Sequence, residues 1–328
     1  MFPGFPNIMM GSGVQGFIPS EHFKAVTYTG AGGTPSITGV GFQPDFVWIK
    51  NRDQADTHVI TDVLRGVGKT LTSSTNAGEV ADPDTVTSFD ADGFSLGADV
   101  KVNTNTEDYV AWCLKAGGAG VTNTDGSLTS TVSANVEAGF SIVKWSAATG
   151  TIGHGLSQAP ELIIDRKWDT AVNWIVEYTV GDGSYDYMRL NTTAAKIDAT
   201  WPAPTDTVFE AGINADEAIA YCFHSVPGFS KVGSYTGDGG TNNYVELGFR
   251  PAFVMFKRTD SVDNWIILDN VRDTANPRET RLFPNLNLAD NVNPSVDVDF
   301  SDNGFTLTNT DGAINASGGT YIYLAFAA

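Results

Sequence analysis

Gly41-Phe42-Gln43-Pro44-Asp45-Phe46-Val47-Trp48-Ile49-Lys50-Asn51-Arg52 is a turn closed by proline, then an apolar run, then charge. The chain repeats it. A weaker copy reads Gly155-Leu156-Ser157-Gln158-Ala159-Pro160-Glu161-Leu162-Ile163-Ile164-Asp165-Arg166. A clear one reads Gly248-Phe249-Arg250-Pro251-Ala252-Phe253-Val254-Met255-Phe256-Lys257-Arg258. Phe46–Ile49 and Phe253–Phe256 are apolar on both faces, which predicts central strands covered on both sides. A second apolar run starts 13 residues after the proline in every copy, at Thr57, Asn173 and Asn264. Three identical offsets define a repeat.

Other landmarks align to the same frame. A strand pattern precedes each copy, starting at Phe23, Phe140 and Phe229, and each copy ends in an apolar strand, Tyr109–Leu114, Ala218–Phe223 and Tyr321–Phe326. Phe89-Asp90-Ala91-Asp92-Gly93-Phe94 and Phe300-Ser301-Asp302-Asn303-Gly304-Phe305 carry hairpin turns in which glycine accepts positive φ. The middle copy has a shortened form, Phe209-Glu210-Ala211-Gly212-Ile213. The repeats therefore span 21–117, 138–226 and 227–328. The Gly/Thr/Ser/Asn-rich stretch 118–137 reads as a linker, and the second and third repeats abut at Val226-Pro227-Gly228. Short strands with turn residues every 8–12 positions predict an all-β protein of three tandem β-sandwich repeats. Helical turns are allowed at 62–69 and 270–276. Residues 1–20 are rich in Gly, Pro and apolar residues without periodicity, and read as an extended arm that lies against a partner or its own chain.

Composition agrees with this class. Hydrophobic residues make up 41% of the 328, enough for cores, while charged residues are only 17% and glycines number 35, so the surface is polar through Thr, Ser, Asn and Gly. Nineteen basic against 38 acidic residues give −19, which disfavours nucleic acid and anionic membranes as partners. The first twenty residues hold no Lys or Arg, so no secretory signal is expected, and no apolar run approaches the ~18 residues of a membrane span. Cys113 and Cys222 occupy equivalent places in different repeats, so they are expected to be buried thiols too far apart to bridge.

Motifs for catalysis are weak. Arg65-Gly66-Val67-Gly68-Lys69-Thr70 lacks the leading glycine of a phosphate-binding loop, because Val63 stands there. His22, His58, His154 and His224 fall at different landmarks and have no metal spacing, and His58 alternates with apolar residues as a structural histidine would. Asp90 and Asp92, or Asp297, Asp299 and Asp302, suggest calcium, but the simpler account is turn capping. A glycosidase needs two carboxylates across a cleft, one of them shielded, which the sequence does not locate. Among the tryptophans, Trp174 and Trp265 share a mid-strand landmark and read as core, as does Trp48. Trp168 and Trp201 lie in less periodic segments and are the better surface candidates. No catalytic, cofactor-binding or metal-binding residue is assigned, and no cofactor is expected.

The aligned blocks, together with Asn123-Thr124-Asp125-Gly126-Ser127-Leu128, Gly153-His154-Gly155-Leu156 and Lys231-Val232-Gly233-Ser234-Tyr235-Thr236-Gly237, resemble a repeat-containing family of bacteriophage virion proteins common in marine phages. The resemblance covers nearly everything from Phe23 onward. It implies a non-enzymatic structural protein of the virion, of tail-fibre or spike type, which is a homotrimer as phage fibres often are. Its partners would be other virion proteins, reached through residues 1–20, and a host-surface glycan or protein. The short arm leaves too little chain for a trimeric shaft, which favours a compact spike, fibre tip or head decoration protein. A polysaccharide-degrading spike is the alternative from another class. Three internal repeats also allow a pseudo-threefold layout within one chain. The material outside the repeat pattern, namely 1–20, 117–137 and loops such as 181–187, is where function is expected.

Overall fold

The structure, a computed structural model, describes residues 16–147, 149–210, 215–294 and 297–327. The chain is all-β, as the sequence predicts, and its sheets are antiparallel. In the first repeat one sheet runs Phe23–Thr29, Asp108–Leu114, Phe46–Asn51, Val59–Asp62. In the third it runs Ser230–Thr236, Thr320–Ala327, Pro251–Arg258, Ile266–Asp269. In the second the order is Phe140–Ala147, Ala215–Phe223, Leu162–Lys167, Ile175–Tyr178. Register is also shared, since Phe46 faces Asp62, Leu162 faces Tyr178 and Phe253 faces Asp269. Proline at the landmark ends the preceding turn, and Gly41 and Gly248 sit at φ 87° and 88°, which a side chain would oppose.

Side chains alternate across these strands and both faces are covered. The outward face of the first repeat packs Val47, Ile49 and Ala111 against Phe94 and Leu96 of a three-stranded sheet, Ser36–Thr38, Gly93–Leu96 and Val86–Asp90. The third repeat does the same with Asn243–Glu246, Gly304–Leu307 and Val298–Ser301. Both turns expected from Asp/Asn-Gly are two-residue hairpins, closed at Asp90 facing Gly93 and Ser301 facing Gly304. The middle repeat has only Thr151–Gly153 with Val208–Glu210 as its second layer, and its shortened hairpin falls partly at 211–214, outside the described residues.

The inward faces build a single interior. Phe46, Trp48 and Trp112 of the first repeat, Ile164, Tyr221 and Phe223 of the second, and Phe253, Leu324 and Phe326 of the third belong to one apolar cluster. These residues line an apolar void of about 30 Å³, room for about one water molecule. The repeats are thus not separate bodies in series. Each has its own layer pair on the outside and shares its inner face with the other two.

Two local expectations need correction. The stretch 118–137 is not a free linker, because Val121–Asn123 and Ser130–Asn135 pair onto the edge of the middle sheet and widen it to eight strands. Its glycines and serines masked the β-branched run around Val132. The segments after Asp62 and Asp269 are turns rather than helices. Each is closed by the aspartate accepting from backbone N–H groups two and three residues on. Of the arm, the described Phe17 stacks on His22 and meets Phe229 edge-on, and residues 1–15 lie outside the described residues.

Candidate functional site

Contacts between repeats follow one rule. The residue 14 positions after the landmark proline reaches a backbone carbonyl of the preceding repeat. Trp174 Nε1 donates to Thr72 O at 2.8 Å, and Trp265 Nε1 donates to Arg189 O at 3.0 Å. His58 closes the ring, with Nε2 3.0 Å from Phe283 O while Nδ1 accepts from Trp48 Nε1 at 2.8 Å. Those two bonds fix a neutral imidazole protonated on Nε2. Burial, then the nearby Lys50, pull the His58 pKa down to about 3. His58 is therefore a seam residue, as fully buried as its two tryptophan counterparts.

Two of the three seams also carry a buried ion pair. Asp62 bonds Arg65 at 2.5 Å and accepts from Tyr221 of the second repeat at 2.8 Å. Asp269 bonds Arg272 at 2.7 Å and accepts from Trp112 Nε1 of the first repeat at 3.1 Å. These aspartates and arginines stand 18 and 21 residues after their prolines. In the middle repeat the same positions hold Tyr178 and Gly181, and the third repeat has Leu324 at the position aligned with the aromatic donors Trp112 and Tyr221. Tyr178 is 1% exposed and its hydroxyl has no hydrogen-bond partner among the described residues.

A cavity of about 270 Å³ opens at this third seam, lined by Tyr178, Gly181, Asp182, Asp186, Lys196, Thr236, Thr259, Tyr321 and Ile322. Lys196 Nζ lies 2.6 Å from Asp182, 2.9 Å from Asp186 and 3.6 Å from Asp198. The bond from Lys196 holds the Asp182 carboxyl well below the carboxylate range. Burial opposes the Lys196 charge, but the bonds to Asp182 and Asp186 outweigh it and raise its pKa. Burial, then the field of Asp186, Asp182 and Asp198, raise the Tyr178 phenol, which stays protonated.

The opposite face of the same strands holds a second departure from the pattern. Asp165 and Glu177 replace the outward Ile49 and Thr61 of the first repeat, on neighbouring strands and fully buried. Tyr185 donates to Glu177 Oε2, and Trp201 packs beside Tyr185 and Tyr187. Both Asp165 oxygens lack partners. Burial, then Glu177, push the Asp165 carboxyl well above the usual carboxylate range.

Other residues singled out in the sequence have structural places. Arg65 of the glycine-rich stretch is in its ion pair, and Lys69 opens a two-stranded ribbon with Val80–Ala81. Asp92 accepts from the backbone of Gly39 and Gly41, and Asp90 accepts from Ser88 and Ser95. His154 approaches Thr205 O, and His224 approaches Ser225 O. Trp168 is half-buried with Lys144 above its ring at 5.0 Å. Cys113 and Cys222 are free and buried. Among the described residues no group of three or more His, Cys, Asp or Glu is placed for a metal ion, and no helix is long and apolar enough to cross a membrane. Gly181 opens the loop 181–187 named from the sequence, whereas Tyr178, Asp165 and Glu177 carry no motif that marks them as site residues. Their signal was available as departures from the repeat at fixed offsets.

Fold and seams define a class: an all-β body of three internal repeats closed around a common core. The chain belongs to the DUF7483 family, described as a domain of unknown function, whose model matches residues 18–328. A comparison with curated proteins finds no match.

Proposed function

We infer that this protein is a non-enzymatic structural component of a bacteriophage virion, of tail-fibre or spike type, that contacts the host surface. The observation that carries the reading is the closed ring of seams, in which each repeat is tied to the one before it. Such a body suits display: its interior is fixed by the shared core, and its loops face outward. The resemblance of the repeat blocks to phage virion proteins supplies the setting. Attachment to other virion proteins is assigned to residues 1–20. Deleting them should leave the body folded and remove it from particles, and normal incorporation of the truncated chain would refute the anchor. A head decoration protein is the neighbouring alternative, and copy number decides: tens per particle indicate the tail, hundreds the capsid.

Each of the three seams is bridged by a hydrogen bond within one chain, which supports a threefold frame that is internal. Sedimentation of the purified chain then reads a monomer, whereas the fibre resemblance taken alone implies a trimer. One observation favours a second reading, a polysaccharide-degrading spike: two buried carboxyls, Asp165 with its pKa raised by burial and Glu177, lie on neighbouring strands beside Tyr185 and Trp201. Their complete burial argues against it. Release of reducing ends from host envelope polysaccharide, lost in Glu177→Gln, would establish it.

A further inference from the structure

We propose that the cavity at the seam between the second and third repeats binds a single neutral sugar ring through adjacent hydroxyls. Three observations converge there. The first is space made by sequence. The two positions filled by an Asp–Arg pair at the other seams carry Tyr178 and Gly181 here, and both line the cavity. The second is an unspent hydrogen-bonding group. Among the described residues the buried Tyr178 hydroxyl has no partner, an unfavourable arrangement unless something occupies the site. The third is the chemistry of the walls. Asp182 offers carboxylate acceptors shared with Lys196 and Ser184, Lys196 an ammonium held among carboxylates, Thr236 a hydroxyl, and Ile322 an apolar surface, while the Thr259 hydroxyl is already bonded to Thr320.

That mixture selects among ligands. At about 270 Å³ the cavity falls just below the roughly 300–1,000 Å³ typical of drug-sized sites, so it suits one ring. Lys196 is already opposed by Asp182, Asp186 and Asp198, which leaves the site net acidic and disfavours phosphate, sulfate or a uronic acid. A neutral ring with neighbouring hydroxyls meets the acceptors of Asp182, the Lys196 ammonium and the waiting Tyr178 hydroxyl together, while its C–H face lies on the apolar wall.

The inference rests on the host-attachment reading for its biological role but not for its test. Saturation-transfer NMR and titration calorimetry on the full chain would use the methyl glycosides of glucose, galactose, mannose and N-acetylglucosamine, with methyl glucuronide for contrast. At least one neutral glycoside should bind and the glucuronide should not. Tyr178→Phe removes only the unpartnered hydroxyl, so its Tm should hold or rise while affinity falls about tenfold. Asp182→Ala, at a side chain 57% exposed, should fold normally and weaken binding similarly. Failure of all four neutral glycosides to bind, or unchanged affinity in both variants, overturns the proposal. If a glycoside binds the chain yet leaves adsorption of particles to host cells untouched, the attachment reading fails and the pocket stands.

Discussion

His58 ties acid stability to one seam. Folded, it is neutral, with its pKa near 3; unfolded, it takes a proton below about 6.5. The unfolded chain binds the extra proton, so this contribution is whole above pH 6.5 and drains away as pH falls toward 3. By pH 4 the loss is about 3 kcal/mol. His58→Gln keeps an acceptor for Trp48 and a donor for Phe283 O but does not titrate. Urea unfolding at pH 7 and pH 4 should therefore show a smaller acid loss in the variant, and an equal loss would refute the assignment. Asp165 makes the opposite point about buried polarity. Neither oxygen is paired, and the first repeat fills the equivalent place with Ile49. Asp165→Ile should stabilise the chain at pH 7 by about 1–3 kcal/mol, because an unsatisfied buried carboxyl is replaced by packing. A lower urea midpoint would mean that Asp165 has a partner not seen here.

At the scale of elements, the sequence displayed the strands better than their neighbours. Phe46–Asn51 and Pro251–Arg258 were legible because a run apolar on both faces must be covered twice. What covers the inner face was not legible: alternation marks a face as buried without saying against which repeat. The strand Ser130–Asn135 was lost for a different reason. Apart from Val132 its residues are small or polar, so their burial between Val121–Asn123 and Phe140–Ala147 leaves no apolar pattern in the sequence. The candidate site was half visible. The loop at 181–187 stood out as unrepeated, yet Tyr178 and Gly181 gain meaning only from the ion pairs at the other two seams. Trp174 and Trp265, read as core, are core and also donors across a seam. Trp265→Phe should therefore cost more than lost area, about 1–3 kcal/mol in all, since Arg189 O is left with the longer bond from Thr192 N. Hydrogen exchange should show faster opening around residue 189 than at the untouched Thr72 seam, and equal protection at both would argue that the bond carries no weight.

The whole molecule follows from sharing one interior. Inner faces that include Phe46, Tyr221 and Phe326 would be bare in any isolated repeat. The chain should accordingly unfold in a single calorimetric transition, with van't Hoff and calorimetric enthalpies equal, rather than in three. Separate melting of one repeat would contradict the common core. The third repeat expressed alone should aggregate, because its inner strand faces have no substitute partner.

A ring whose joints differ has a preferred breaking point. Two joints hold a buried ion pair with an aromatic donor across it, while the third holds an unpartnered phenol beside a cavity. Under mechanical load that third joint should part first, and single-molecule pulling would record it as the lowest-force event. A ligand seated there would act as a latch, raising the rupture force of that one joint and leaving the other two unchanged.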